Sequence, residues 1–311
     1  MNITNRKNLP ASVVASVDPN PHNKTGCISV TTLLKGTKEI LLTQRHWDEI
    51  TVDVAERAYA VYGTSVHLVF ERGNDVPGIM KEHEVSMKLE DYTVTGRIDY
   101  YDGNQKILGD YKYTSVFKIR DGVPDEWRLQ TLMYAYLMSL KGYETERVTF
   151  FVFLRDWRRS EYRAKKNQGY PDAPVATLSF DVTKDDLHEA EEFIRAKIAL
   201  LSEHKSLPDE DIPKCTEAER WATPTTFAVK KQGQKTAVRG ASKFSTNAQA
   251  LGWIYSQPKD QDKYYVEKRE GCSAKCADYC DCREFCSFYK NEVLPSLKLE
   301  EAVNPQDLER N

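Results

Sequence analysis

The chain has 311 residues, 40% hydrophobic and 29% charged, with a formal charge of −3. That make-up is the one expected of a soluble globular protein and not of a disordered one, and no apolar run approaches the roughly 18 residues of a membrane-spanning helix. The balanced charge also excludes a polyanion binder that works through its overall field, so any such partner needs a local basic patch.

In chain order, residues 1–45 are mixed and offer only "SVTTLL" as a short strand or helix entry. The start "MNITNRKNLPASVV" lacks the apolar centre of a secretory signal, so the expected location is the cytoplasm, with no membrane partner. From Trp47 to Gly73 apolar residues recur at helical spacing and stop at a glycine, which predicts one or two helices. Three β-patterned runs follow, "HEVSMKL", "YTVTGRIDYY" and "KILGDYKY". Turn residues at Glu90-Asp91 and Asp102-Gly103-Asn104 join them into a meander.

The segment "PDEWRLQTLMYAYLMSLKG" predicts a helix, with Pro124 near its start, an apolar stripe from Leu129 to Leu140 and Gly142 past its end. The strand "RVTFFVFL" is so apolar that burial on both faces of a mixed sheet is expected. With the strand "VATLSFDV" and a helix from Asp185 to Glu203, this order defines an α/β core at 46–205. After a break at "HKSLPDEDIPKC", residues 215–290 read as a smaller α+β unit with "FAVKK", "TAVRG", a helix around Ala248 to Tyr255, "YYVEKRE" and a run of cysteines. Residues 291–311 read as an acidic tail.

Two features carry chemistry. Strands disfavour aspartate, yet Asp99 and Asp110 fall inside the meander, and Lys112, two positions after Asp110, shares its face. Carboxylates on adjacent strands can hold a divalent ion for phosphodiester hydrolysis, with the Tyr111 backbone carbonyl in reach. The lysine can then position water or stabilise charge on the phosphate. The second feature is the set of seven cysteines, five of them between 272 and 286. In a reducing compartment this points to metal or cluster ligation in preference to disulfides, although no C-x2-C zinc pair is present.

The motifs "GTSVHLVFE" (Gly63, His67, Glu71), "GRID" (Asp99), "DYK" (Asp110, Lys112) and "LQTLMYAY" (Gln130, Tyr134) follow one another from about residue 60 to 155. In that order the chain resembles the RecB-like branch of the PD-(D/E)XK nucleases, which includes CRISPR-associated exonucleases and phage-encoded relatives. Ile98 stands where the superfamily name has proline, but the branch commonly uses G-x-x-D there. The resemblance implies a restriction-endonuclease-like core, a mixed central sheet flanked by helices, that uses manganese or magnesium. His67, Asp99, Asp110 and the Tyr111 carbonyl would hold the metal, with Lys112, Gln130 and Tyr134 in catalysis beside the two aspartates. An imidazole among carboxylates suits manganese-like ions, and Gln130 and Tyr134, one helical turn apart, share a face.

The resemblance also implies a 4Fe-4S iron-sulfur cluster on Cys276, Cys280 and Cys286. Its distant fourth ligand would be Cys215, with Cys27 as the alternative, and Cys272 and Cys282 would be extra thiols. Zinc remains the alternative, since thiolates bind both. For DNA, the run "LRDWRRSEYRAKK" offers Arg155, Arg158, Arg159, Arg163, Lys165 and Lys166 to phosphates and Trp157 and Tyr162 to bases, with "KKQGQKTAVRG" a second basic candidate. The implied function is a metal-dependent deoxyribonuclease, an exonuclease more than an endonuclease, acting on duplex ends or single strands in phage or bacterial recombination, repair or processing. A recombinase, single-strand-binding protein or helicase would be its partner. The rival expectation is a non-catalytic nucleic-acid-binding accessory protein that keeps the fold.

Overall fold

A computed structural model describes residues 1–17, 26–165 and 168–303, with side chains to 298. The chain divides into two compact units, Met1–Leu207 and Pro208–Asn311. Among the described residues no helix is long and apolar enough to cross a membrane.

The first unit runs β1 (Asn2–Thr4), α1 (Ala11–Ser16), β2 (Cys27–Ser29), α2 (Val30–Leu33), α3 (Thr37–Arg45), β3 (Thr51–Asp53), α4 (Ala58–Glu71), β4 (Ile79–Leu89), β5 (Tyr92–Asp102), β6 (Ile107–Thr114), α5 (Asp125–Ser139), β7 (Arg147–Leu154), α6 (Arg159–Lys165), β8 (Val175–Asp181) and α7 (Lys184–His204). Six strands form a mixed sheet in the order β2-β5-β6-β7-β8, with β4 also on β5. Helix α5 packs on one face, where Trp127 meets Phe150, and α7 packs on α5. Helix α4 covers the other face, where Phe70 meets Tyr111 and Phe153. This is the expected α/β architecture of a mixed sheet flanked by helices.

Several boundaries differ from the sequence expectation. Strand β2 pairs in parallel with Thr93–Thr95 of β5, so residues 27–45 join this unit and its edge lies earlier than residue 46. The stretch expected to be helical from Trp47 opens instead as β3, paired with β1, and then a 3-10 turn at Val54–Arg57. Asp53 causes the change: its carboxylate accepts from the backbone N–H of Ala55 and of Arg6, capping the turn and holding the N-terminal strand. In β7 burial alternates, with Val148, Phe150, Val152 and Leu154 buried and Thr149, Phe151 and Phe153 half-buried, because α4 covers its face less fully than α5 does.

The sheet parts where the site lies. Strand β4 pairs along one edge of β5 from end to end, so β2 and β6 must share the other edge. There β2 takes Thr93–Thr95 and β6 takes Tyr100–Asp102, which leaves Gly96 to Asp99 between them without a ladder partner on that side. Asp99 and Asp110 occupy the register position just beyond the last pair, Tyr100↔Gly109.

The second unit holds β9 (Thr226–Lys231), α8 (Asn247–Tyr255), β10 (Tyr264–Arg269) and α9 (Leu294–Val303). Strands β9 and β10 form an antiparallel pair under α8, around Val229, Ala241, Ala250 and Ile254. The run "TAVRG" supplies a single bridge, Ala237 to Lys230, in place of a strand. The cysteine run folds into short turns, a π turn at Lys275–Tyr279 and a 3-10 turn at Arg283–Phe285. Leu, Lys, Glu and Ala favour helix, and the segment expected to be tail begins as α9.

Candidate metal centre and cysteine cluster

At the fork in the first unit, Asp99 Oδ2 accepts a hydrogen bond from the Tyr111 N–H at 2.8 Å, which ties β5 to β6 past their last ladder pair. The N–H and C=O of one extended residue point to the same edge, so the Tyr111 carbonyl also faces the fork. Helix α4 delivers His67, whose Nδ1 lies 3.3 Å from Asp99 Oδ1 and 3.5 Å from Glu82 Oε1. The hydrogen bond to Asp99 raises the His67 pKa against the opposing effect of burial, and the charges of Asp99, Glu82 and Asp110 add to the rise.

Asp110 is buried, and burial pushes its carboxyl up to about 6, with Asp99 adding to the rise and Lys112 opposing it. Lys112 Nζ stands 2.8 Å from Asp110 Oδ2, yet the angles are poor for a hydrogen bond and this oxygen has no well-directed donor. Lys112 also donates to Gln130 Oε1 at 3.1 Å, and Gln130 Nε2 donates to the Tyr134 hydroxyl at 3.2 Å. Both residues come from α5, and burial raises the pKa of Tyr134. The Lys112 ammonium also lies 5.5 Å from the Trp127 ring. Gly96 makes room for this line: a Cβ there would sit 2.8 Å from Tyr134 Cδ1 and Cε1. The structure therefore brings His67, Asp99, Asp110, Lys112, Gln130 and Tyr134 together.

One residue of the site escapes the sequence motifs. Glu82 of β4 lies opposite Asp99, between the pairs Lys81↔Tyr100 and His83↔Ile98, and has a left-handed φ of 49°. Its Oε1 is buried without a hydrogen-bond partner, and burial, followed by the Asp99 charge, raises its pKa. Among the described residues, only His67, Glu82 and Asp99 place three potential ligand atoms within 4.8 Å of one another. Two buried carboxylate oxygens, on Glu82 and Asp110, thus lack good donors beside an imidazole nitrogen. This donor set fits a hard divalent cation.

The basic run is partly engaged. Arg155, Arg158, Arg159, Arg163 and Lys165 are exposed, Lys165 pairs with Glu161 at 2.6 Å, and Lys166 lies outside the described residues. The Trp157 indole N–H donates to the Pro171 carbonyl at 2.8 Å, which fixes the edge of the ring, and Trp157 is half-buried. Other rings stand out instead. The Arg155 guanidinium covers Tyr59 at 4.3 Å, Tyr59 meets Tyr62 edge-on, and Tyr62 meets Tyr113, next to Lys112. All three tyrosines are exposed. They come from α4 and β6, so no local run in the sequence announced them.

In the second unit Cys276 lies among Cys280, Cys215 and Cys286. Burial, reinforced by those neighbours, pushes its thiol up to about 12. Arg220 stitches the distant cysteine in place, its Nε donating to the Cys215 carbonyl and its Nη1 to Ser273 Oγ. Cys282 is buried with its Sγ 3.6 Å from that of Cys280, while Cys272 is exposed beside Thr223. Cys27 belongs to β2 of the first unit.

No protein-family model and no curated protein matches the chain. Ten solved chains match in structure. One, designated SSO0001, is 18% identical over 57% of this chain and 78% of its own, with a TM-score of 0.40. A candidate exonuclease from Eubacterium rectale is 14% identical over 52% of this chain, which is 53% of its own length, at a TM-score of 0.28. A phage-related exonuclease from Haemophilus somnus 129PT is 16% identical over 52% of this chain and 73% of its own, at 0.27. Scores this low assign no activity, and the functional reading stands on side-chain geometry.

Proposed function

We propose that this chain is a metal-dependent DNA nuclease of the RecB-like branch, an exonuclease that works from duplex ends or along single strands. The observation that carries the reading is the fork: Asp99 and Asp110 end the ladder side by side, His67 contacts the first and Lys112 the second. Manganese or magnesium would be held by His67, Asp99, Asp110 and the Tyr111 carbonyl, and when bound supplies Lewis acidity toward water and phosphate. Lys112 has three N–H donors: one is directed to Gln130, and the ammonium stands 2.8 Å from Asp110 as an ion pair without a well-directed hydrogen bond, so donor capacity remains for water or a phosphate oxygen. Tyr134 holds Gln130, and Gln130 holds Lys112 at its working distance from Asp110. Arg155 with Tyr59, Tyr62 and Tyr113 forms an exposed path on which phosphates and bases of a single strand would lie.

For the second unit the proposal is a 4Fe-4S cluster on Cys215, Cys276, Cys280 and Cys286. The support for a shared cluster is that Cys276 has Cys215, Cys280 and Cys286 as neighbours. The test of the nuclease reading is incubation of the purified protein with end-labelled linear and circular DNA, with and without manganese. Release of nucleotides from the linear form in manganese alone is expected, while binding without hydrolysis would establish an accessory protein instead.

A further inference from the structure

Resting on the nuclease reading, we propose that Glu82 is a direct ligand of the divalent cation through Oε1, beside His67 Nδ1 and Asp99 Oδ1, and that Arg97 and Glu71 position it. Its backbone is the first sign. Glu82 interrupts an eleven-residue strand with a φ of 49°, a region that residues bearing a Cβ disfavour. Across from it the burial alternation of β5, kept from Tyr92 to Ile98, slips by one so that the next buried residue is Tyr101. Opposing residues Glu82 and Asp99 are together the point where both strands depart from regularity, and both side chains arrive at His67.

The hydrogen bonding of Glu82 is the second sign. Its Oε2 pairs with Arg97 Nε at 2.9 Å, and Arg97 Nη2 reaches Glu71 Oε1 at 3.0 Å. Glu71 stands one helical turn after His67 on α4, and Arg97 two positions before Asp99 on β5, so the elements that bring the imidazole and the aspartate also bring the clamp. The clamp occupies one oxygen and leaves Oε1 as the orphan, on a side chain only 10% exposed. A buried anionic oxygen next to a second carboxylate is costly unless a cation satisfies both, and the ligand class that does so is a hard divalent ion such as manganese or magnesium. A bidentate guanidinium is needed at the clamp because it must grip two carboxylates in fixed directions, which an ammonium does not do.

The test is manganese affinity of the full chain, read by electron paramagnetic resonance of free manganese, together with melting temperature without metal. Glu82→Gln should weaken manganese binding about a hundredfold and Arg97→Gln about tenfold, within the range seen when groups around a metal are removed. The double variant should bind no worse than Glu82→Gln alone, because Arg97 acts only through Glu82. Glu82→Gly adds an effect of opposite sign. It should raise the metal-free melting temperature, since glycine accepts the left-handed backbone and the buried charge is gone, while still weakening manganese binding. Wild-type affinity in Glu82→Gln and Glu82→Gly, or a metal-free melting temperature that falls in Glu82→Gly, would overturn the assignment and leave the nuclease reading standing. Absence of manganese binding by the wild-type chain would overturn both.

Discussion

In the first unit Ile28, Val94, Ile98, Leu108, Leu132, Met133, Phe150 and Val152 are buried around one sheet, whereas among the described residues the cluster between β9, β10 and α8 is centred on four buried residues, Val229, Ala241, Ala250 and Ile254. Two of those four are alanines, which remove little apolar area from water. The larger core can carry a cluster of buried carboxylates and a left-handed glutamate at its fork, because packing elsewhere offsets their cost. The smaller unit gathers thiols instead, and a bound cluster there would link folding to ligation. In the proposed scheme the metal of the first unit does chemistry on a self-supporting scaffold, and that of the second unit completes a scaffold.

The comparison breaks most visibly on activity. Asp110→Ala should lower manganese-dependent hydrolysis by about a thousandfold with far-ultraviolet circular dichroism unchanged, because it removes a charge from the site and little packing. Cleavage at the wild-type rate would detach the chemistry from the fork. Cys276→Ser should do the reverse. The brown colour of anaerobically purified protein and the melting transition of the second unit should vanish, and cleavage should persist. A colourless, zinc-loaded wild-type protein would replace the cluster with zinc while leaving the nuclease assignment intact.

Packing and titration sharpen the contrast with smaller effects. Gly96→Ala should cost about 1–3 kcal/mol in chemical denaturation, because its methyl overlaps the Tyr134 ring. It should also lower turnover by moving Tyr134 and Gln130, and neither change is expected if the ring can shift freely. Asp53 is held down to about 2 by the backbone N–H of Arg6, with the Thr4 hydroxyl, the Ala55 N–H and the Arg6 side chain also lowering it and burial opposing. Because its folded pKa lies below the unfolded value of 3.8, its stabilising contribution is complete above that value and lost as pH falls through 2. The melting difference between wild type and Asp53→Asn should therefore be full at neutral pH and vanish near pH 2. A difference independent of pH would assign Asp53 a role without charge.

Much of the first unit was legible in the chain. Asp99, Asp110, Lys112, Gln130 and Tyr134 fall in short runs whose periodicity fixes faces locally, and α5 and β7 form where expected, although β7 buries only alternate residues and the expected α5 stripe gives way to burial of every residue from Thr131 to Met138, with Leu140 exposed past its end. Glu82 was not, because the β-patterned run "HEVSMKL" begins only after it and nothing in the sequence encodes a positive φ or the slip at Asp99. The join of β2 to β5 and the meeting of Tyr59, Tyr62 and Tyr113 with Arg155 are contacts between distant elements, which local pattern does not specify. In the second unit the cysteine spacing pointed to ligation, but only the fold revealed Arg220 fastening Cys215 and Cys282 touching Cys280.

The most direct test of the central claim is one titration: metal-free protein mixed with end-labelled linear DNA, with initial cleavage rate measured as manganese is raised. The account predicts no cleavage without the ion, a rate that saturates with manganese binding to the wild-type chain, and a flat line for Asp110→Ala across the same range. Equal cleavage in the presence of a chelator, or an Asp110→Ala curve that superimposes on wild type, would contradict it.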